Sequence, residues 1–152
     1  MRIAVLKERA AGERRVAITP ETVRKFAALG AEIAVEAGAG EHAAIADSDY
    51  SAAGAAVGST ADTVKGAAIV LGVQAPDVEL LTGANPGAWV AATFDPFGRK
   101  DRVAAYAKAG LEALSMEFMP RITRAQSMDV LSSQSNLDRK STRLNSSHVR
   151  TS

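Results

Sequence analysis

Apolar positions in this chain come in two alternating kinds of run. Short continuous runs such as Ile3-Ala4-Val5-Leu6 suit strands buried on both faces of a parallel sheet. Runs with apolar residues three and four apart suit amphipathic helices. A strand is predicted over 2–7, followed by a polar loop to Arg15. Thr19 is then a good N-cap, with Pro20 at the first helical position and Glu21 in the first turn. The helix continues through Val23, Phe26, Ala27 and Leu29 to Gly30, the expected left-handed terminator. A second strand is predicted over 32–36. Short elements follow: a helix over 47–53, a strand over 55–57, and a helix over 59–65 capped by Ser59. A strand over 67–73, a helical turn over 77–81, a strand over 88–94, a helix over 99–109 ended by Gly110, and a strand over 111–117 complete the series. This alternation predicts an α/β domain with an open, mostly parallel sheet and helices on both faces, Rossmann-like or flavodoxin-like.

Such sheets bind ligands beyond the carboxyl ends of their strands. The loops expected there are 7–15, 37–42, 74–76, 95–99 and 118–124, which lets Arg15 and Arg121 reach one crevice. Arg14, Arg24 and Arg102 are expected in surface salt bridges, and the cluster 99–102 at a helix start on the surface. The run Gly38-Ala39-Gly40-Glu41-His42-Ala43 fits a loose dinucleotide fingerprint. It follows the second strand rather than the first, and no long helix opens behind it, so it reads as a tight turn that needs glycine.

Residues 119–137, MPRITRAQSMDVLSSQSNL, carry the densest candidate chemistry. After Arg121 and Arg124, polar side chains recur at Gln126, Asp129, Ser132/Ser133 and Asn136, while Ile122, Ala125, Met128 and Leu131 collect opposite. Ordinary surface helices show the same periodicity, but they favour Lys and Glu. Ser, Gln and Asn fill this face instead, with a single carboxylate, and such a face suits a polar, mostly neutral ligand.

Composition narrows the choices further. The hydrophobic fraction of 47% and charged fraction of 23% are those of a soluble globular protein, and no run approaches a membrane span or a signal peptide. The chain is therefore expected in the cytosol. Without cysteine there are no disulfides, thiolate metal sites or cysteine nucleophiles. His42 and His148 have no partner at metal-binding or triad spacing, and Asp47 and Asp49 read as capping residues rather than a calcium loop, so no metal is expected. The net charge of +1 hides an uneven distribution: residues 1–137 hold 14 Lys+Arg against 16 Asp+Glu, and residues 138–152 hold 4 against 1. The body is mildly acidic and has no basic stripe interleaved with aromatics, which argues against nucleic acid.

At PRITRAQSMDVLSSQSNL the chain resembles the NAD(H)-binding component, or alpha subunit, of the proton-translocating NAD(P) transhydrogenases. The resemblance extends to the N-terminus through IAVLKER, ERRVAITPETV, VEAGAG and AAGA, pieces shared with the related alanine dehydrogenases. It implies a first α/β domain over 1–137 of a two-domain protein that holds NAD(H) in the cleft between its domains. The phosphate-binding GxGxxG belongs to the second half. The reaction implied is hydride exchange between NADH and NADP+, with NADP(H) on a partner component and coupling to proton movement through a membrane-spanning one. A homodimer at the cytoplasmic face of the inner membrane is implied as well. Carried over by motif position, Arg121 orients the carboxamide or nearby ribose and Gln126 bridges toward the second nucleotide. Asp129 accepts from the carboxamide or ribose hydroxyls, and Ser132 completes the set.

Alanine dehydrogenase is the nearest alternative. Members of that family carry a substrate lysine in a VKEP motif and a histidine in an FLHLA-like segment, where this chain has Val73-Gln74-Ala75-Pro76 and Thr93-Phe94-Asp95-Pro96. Only Arg15 of that substrate set remains, and it reads as a shared structural or pocket residue. A non-catalytic α/β binding module is the alternative from another class, with the basic tail as its partner contact. Residues 138–152 break the family pattern and resemble read-through of cloning or sequencing-adapter DNA; the competing reading is a disordered interaction tail. The chain alone is expected to be inactive.

Overall fold

A computed structural model describes residues 1–119. Residues 1–115 form one compact unit, and a second begins at Met116. The first unit is built on six strands: β1 (Arg2–Val5), β2 (Glu32–Glu36), β3 (Ala56–Gly58), β4 (Ile69–Gln74), β5 (Trp89–Thr93) and β6 (Glu112–Ser115). They pair in the order β3-β2-β1-β4-β5-β6, and every pairing is parallel. The order settles the choice between the two expected topologies in favour of the Rossmann one. Its topological switch lies between β1 and β4, where Ile3, Ala4 and Val5 pair with Ile69, Val70 and Leu71.

The helices are α1 (Pro20–Ala28), α2 (Asp47–Ala52), α3 (Thr60–Val64) and α4 (Lys100–Lys108). α1 begins as its sequence dictates: Thr19 is extended, its hydroxyl accepts from the Thr22 N–H, and Pro20 stands in the first turn. Val23 is fully buried, whereas Leu29, expected within the helical apolar run, is the C-cap and is 82% exposed. The chain turns at Gly30 with φ +82°, so Leu29 leaves the buried stripe as the helix ends. Ser59 caps α3 through the Asp62 N–H, as expected. The predicted turn at 77–81 is a 3-10 helix over Val78–Leu81. The last strand is shorter than expected, and the second unit opens with a 3-10 turn over Met116–Phe118.

Two cores form, one on each face of the sheet. On one face Val5, Ile33 and Val35 meet Val23 of α1 and Tyr50 of α2; on the other, Val70, Val90, Ala92 and Phe94 meet Val64, Leu81 and Tyr106. Both buried tyrosines satisfy their hydroxyls on backbone carbonyls: Tyr50 on Ile18 at 2.9 Å and Tyr106 on Pro76 at 2.6 Å. Leu71 packs with the α1/α2 core, and its register neighbours Ala91 and Leu114 share that face with Ile69 and Trp89. Trp89 and Leu114 remain 54% and 43% exposed there. Among the described residues no helix is long and apolar enough to cross a membrane.

Candidate functional site

Beyond the carboxyl ends of β1, β4 and β5 lies a crevice of about 310 Å³ at the switch point. Lys7, Glu8 and Arg9 line it from the β1 exit, Gln74 and Asp77 from the β4 exit, and Asp95, Arg99 and Arg102 from the β5 side. Charge is unevenly committed around it. On the β2 side Glu36, 7% exposed, accepts from the Lys7 N–H, from two nitrogens of Arg9 and from the Thr60 hydroxyl. Burial raises this carboxyl, but those four donors win and hold it below the ordinary range. Lys7 pairs with Glu41 at 2.9 Å. This flank is a closed, satisfied network.

The β4 side is held by a second carboxylate. Glu8 accepts from the Val73 N–H at 2.6 Å and the Gln74 N–H at 3.1 Å, where the β4–β5 register shifts between Leu71 and Gln74. An irregular strand end leaves backbone donors unpaired, and Glu8 satisfies them from the β1 loop. Burial pushes its carboxyl up, beyond what the two N–H groups pull down. The Gln74 side chain continues the network. Its Nε2 donates to Glu13 at 3.2 Å, and its Oε1 lies 3.0 Å from the Thr93 hydroxyl, which also has the Val73 carbonyl in range. Glu13 in turn takes both Nε and one terminal nitrogen of Arg15, at 2.7 and 2.6 Å. The Arg15 fork brings the Glu13 carboxyl down to about 2.

Several sequence expectations need correction against this geometry. Arg15 does not line the crevice; it is held beside it by Glu13. The loop 37–42 stands apart from the crevice. There the Gly38 N–H is taken by the Asp47 carboxylate at 2.9 and 3.1 Å, and a Cβ on Gly40 would sit 2.6 Å from the Ile45 carbonyl oxygen. The GAG segment is thus a tight turn. Asp49 caps the Ala46 N–H at the start of α2, whereas Asp47 serves the glycine turn instead of the helix. Among the described residues Arg14, Arg24 and Arg102 are in none of the ion pairs; the paired arginines are Arg2, Arg9, Arg15 and Arg99. The cluster 99–102 does open α4, but Arg99 and Arg102 face the crevice. Among the described residues no group of three or more His, Asp or Glu could hold a metal ion.

Arg121, Gln126, Asp129 and Ser132 lie outside the described residues. Sequence reasoning passed over Glu8 and Glu13 as functional positions. The available signal was two glutamates in the loop that leaves β1, at the end of the sheet where ligands bind.

The family model for the alanine dehydrogenase/PNT N-terminal domain matches residues 4–138. A Rhodospirillum rubrum protein, the first portion of NAD(P) transhydrogenase subunit alpha, is 45% identical over 146 residues, covering 90% of this chain and 37% of that protein. A transhydrogenase crystal structure from Sinorhizobium meliloti superposes with a TM-score of 0.85 at 47% identity, covering 90% of this chain and 41% of that one. An L-alanine dehydrogenase structure superposes with a TM-score of 0.74 at 26% identity, covering 82% of this chain and 34% of that one. The chain therefore spans between about a third and two fifths of the length of these three relatives.

Proposed function

This chain belongs to the alanine dehydrogenase/PNT N-terminal domain family, and we propose that it supplies the first domain of the NAD(H)-binding component of a proton-translocating NAD(P) transhydrogenase. Residues 1–137 form that domain together with the segment that meets the nicotinamide; residues 138–152 do not belong to it. The complete component exchanges hydride between NADH and NADP+, with NADP(H) held by a partner component. A membrane-spanning partner carries the coupled proton movement, and the component works as a homodimer at the cytoplasmic face of the inner membrane.

Hydride exchange between two nicotinamides takes its chemistry from the cofactors, so protein groups need only align the rings and exclude water. Arg121, Asp129 and Ser132 are assigned to hold the carboxamide and ribose, and Gln126 to face the second nucleotide. The described residues supply no pyrophosphate cradle, because the one glycine turn of suitable spacing spends its Gly38 N–H on Asp47. That part of NAD(H) is left to the part of the component that this chain does not span.

Gln74 is the observation that favours this reading over amino-acid oxidation. In alanine dehydrogenases the matching position of the motif is a substrate lysine. Here a neutral amide fills it, with its nitrogen committed to Glu13 and its oxygen beside Thr93. Position 74 itself thus carries no cation for a substrate carboxylate, and Asp95 occupies the place of the histidine.

A chimera tests the proposal. Residues 1–137 replace the matching stretch of the Rhodospirillum rubrum alpha-subunit protein, and hydride transfer from NADH to an NADP+ analogue is measured after mixing with the other components. Transfer within about tenfold of the parent supports the reading. A chimera that oxidises L-alanine with NAD+ and does not transfer hydride to NADP+ would overturn it.

A further inference from the structure

Arg15 stands at the end of a chain of contacts that begins 7 residues earlier, at Glu8, and passes through a different part of the sheet. The Glu8 carboxylate fixes the backbone of Val73 and Gln74 from across the switch point, at 2.6 and 3.1 Å. The fixed Gln74 can then reach Glu13 with its side-chain nitrogen at 3.2 Å. Glu13, its side chain 9% exposed, grips Arg15 by two nitrogens and also accepts from the Arg15 backbone N–H at 3.1 Å. Arg15 itself is 42% exposed, and its second terminal nitrogen has no hydrogen-bond partner among the described residues. A long, half-exposed guanidinium ordinarily loses rotamer entropy when it is held, so a fixed one needs a support that is itself fixed.

We propose that Glu8 is a positioning residue for Arg15, acting through the backbone of Val73–Gln74, the Gln74 side chain and Glu13, so that the guanidinium keeps one free donor edge beside the crevice. The acceptor for that edge is an oxygen atom of the nucleotide, a point that rests on the reading of the crevice as this domain's wall of the nucleotide cleft. The relay explains why a half-buried carboxylate is placed against two backbone donors at the sheet end. Gln74 serves it because an amide offers a donor to Glu13 and an acceptor to Thr93 at once, which neither Lys nor Glu does. Arg9 and Lys7 do not compete for Glu8, being paired with Glu36 and Glu41.

The test is solution NMR of the full 15N-labelled chain, following the Arg15 Nε–H resonance, assigned by its loss in Arg15→Lys. In the parent chain this proton should be shifted downfield and protected from exchange. Glu8→Ala and Gln74→Leu should each move it toward the position of a free arginine and speed its exchange about tenfold, the size expected for losing one charged hydrogen bond. The Tyr50 and Tyr106 backbone amides, one in each core, report whether the fold is kept. If Glu8→Ala exposes the cores, Gln74→Leu decides alone, because it cuts the relay while leaving the Glu8 bonds in place. An Arg15 signal unmoved by Gln74→Leu would overturn the proposal and leave Glu8 a local strut. The measurement uses no nucleotide and no partner, so its failure is distinct from failure of hydride transfer in the chimera.

Discussion

Tyr106 donates its hydroxyl proton to the Pro76 carbonyl 2.6 Å away, which ties α4 to the turn leaving β4 on the crevice side of the domain. The ring meanwhile meets Phe94 edge-on, with centroids 5.0 Å apart and an interplanar angle of 79°. One side chain thus anchors both the core and the crevice wall. Burial pushes the phenol pKa well up, so the hydroxyl stays a donor at every ordinary pH.

Tyr106→Phe should keep the ring contact and strand the Pro76 carbonyl, at a cost of about 1–2 kcal/mol in urea unfolding. Tyr106→Ala should cost about 3–5 kcal/mol, since it also opens a cavity against Phe94. A Tyr106→Phe variant as stable as the parent would mean the hydroxyl does nothing for the fold, and equal losses in the two variants would mean the same of the ring.

Two glycines should respond differently to alanine. At Gly40 the new Cβ would lie 2.6 Å from the Ile45 carbonyl oxygen and 2.8 Å from the Tyr50 ring, both held by the fold. Gly40→Ala should therefore destabilise by about 2–3 kcal/mol or more. Gly30 has open space around it and only its φ of +82° to defend, so Gly30→Ala should cost about 1 kcal/mol. Thermal melts of the two variants check the order.

Glu13 should shape the acid limb of stability. Its folded pKa lies near 2 and its ordinary one at 4.5, so the unfolded chain binds more protons between those values. The stabilisation is complete above 4.5 and is lost as pH falls through about 2. Glu13→Gln should therefore cost about 1–2 kcal/mol at neutral pH, and the difference from the parent should shrink on acidification through that window. Glu8 works with the opposite sign: its raised pKa makes protonation favour the fold, so Glu8→Gln should not reproduce that acid-limb change.

The chain alone should bind NADH weakly, with a dissociation constant above about 1 mM by titration calorimetry. Its glycine turn has already given the Gly38 N–H to Asp47, and a Cβ-free turn with a filled donor is no phosphate site. Micromolar binding by residues 1–137 would contradict this.

The fold was legible because each element carried its own local cause. Thr19 and Pro20 announced α1, Ser59 announced α3, and the uninterrupted apolar runs of β1 and β4 gave away a sheet buried on both faces. The strand order was not legible, since flavodoxin-like and Rossmann-like chains share the same alternation. What separates them is whether the second crossover lays β3 beside β2, as here, or beside β1. The relay at the crevice was hidden for a related reason. Glu8 and Gln74 are 66 residues apart, and the bond between them depends on an irregular β4 end that no periodicity encodes. Leu29 misled because helical spacing counts a residue as buried until the helix stops, and Gly30 stops it there.

Trp89 is the chain's single tryptophan, and it sits on the sheet face where Leu114 is also left open. Its indole is therefore a built-in optical reporter for that face. Emission near the wavelength of water-bathed indole, easily quenched by acrylamide, would mark the face as wet. A blue shift on adding the second domain that the proposed function requires would time the moment at which something closes over it, without any label attached.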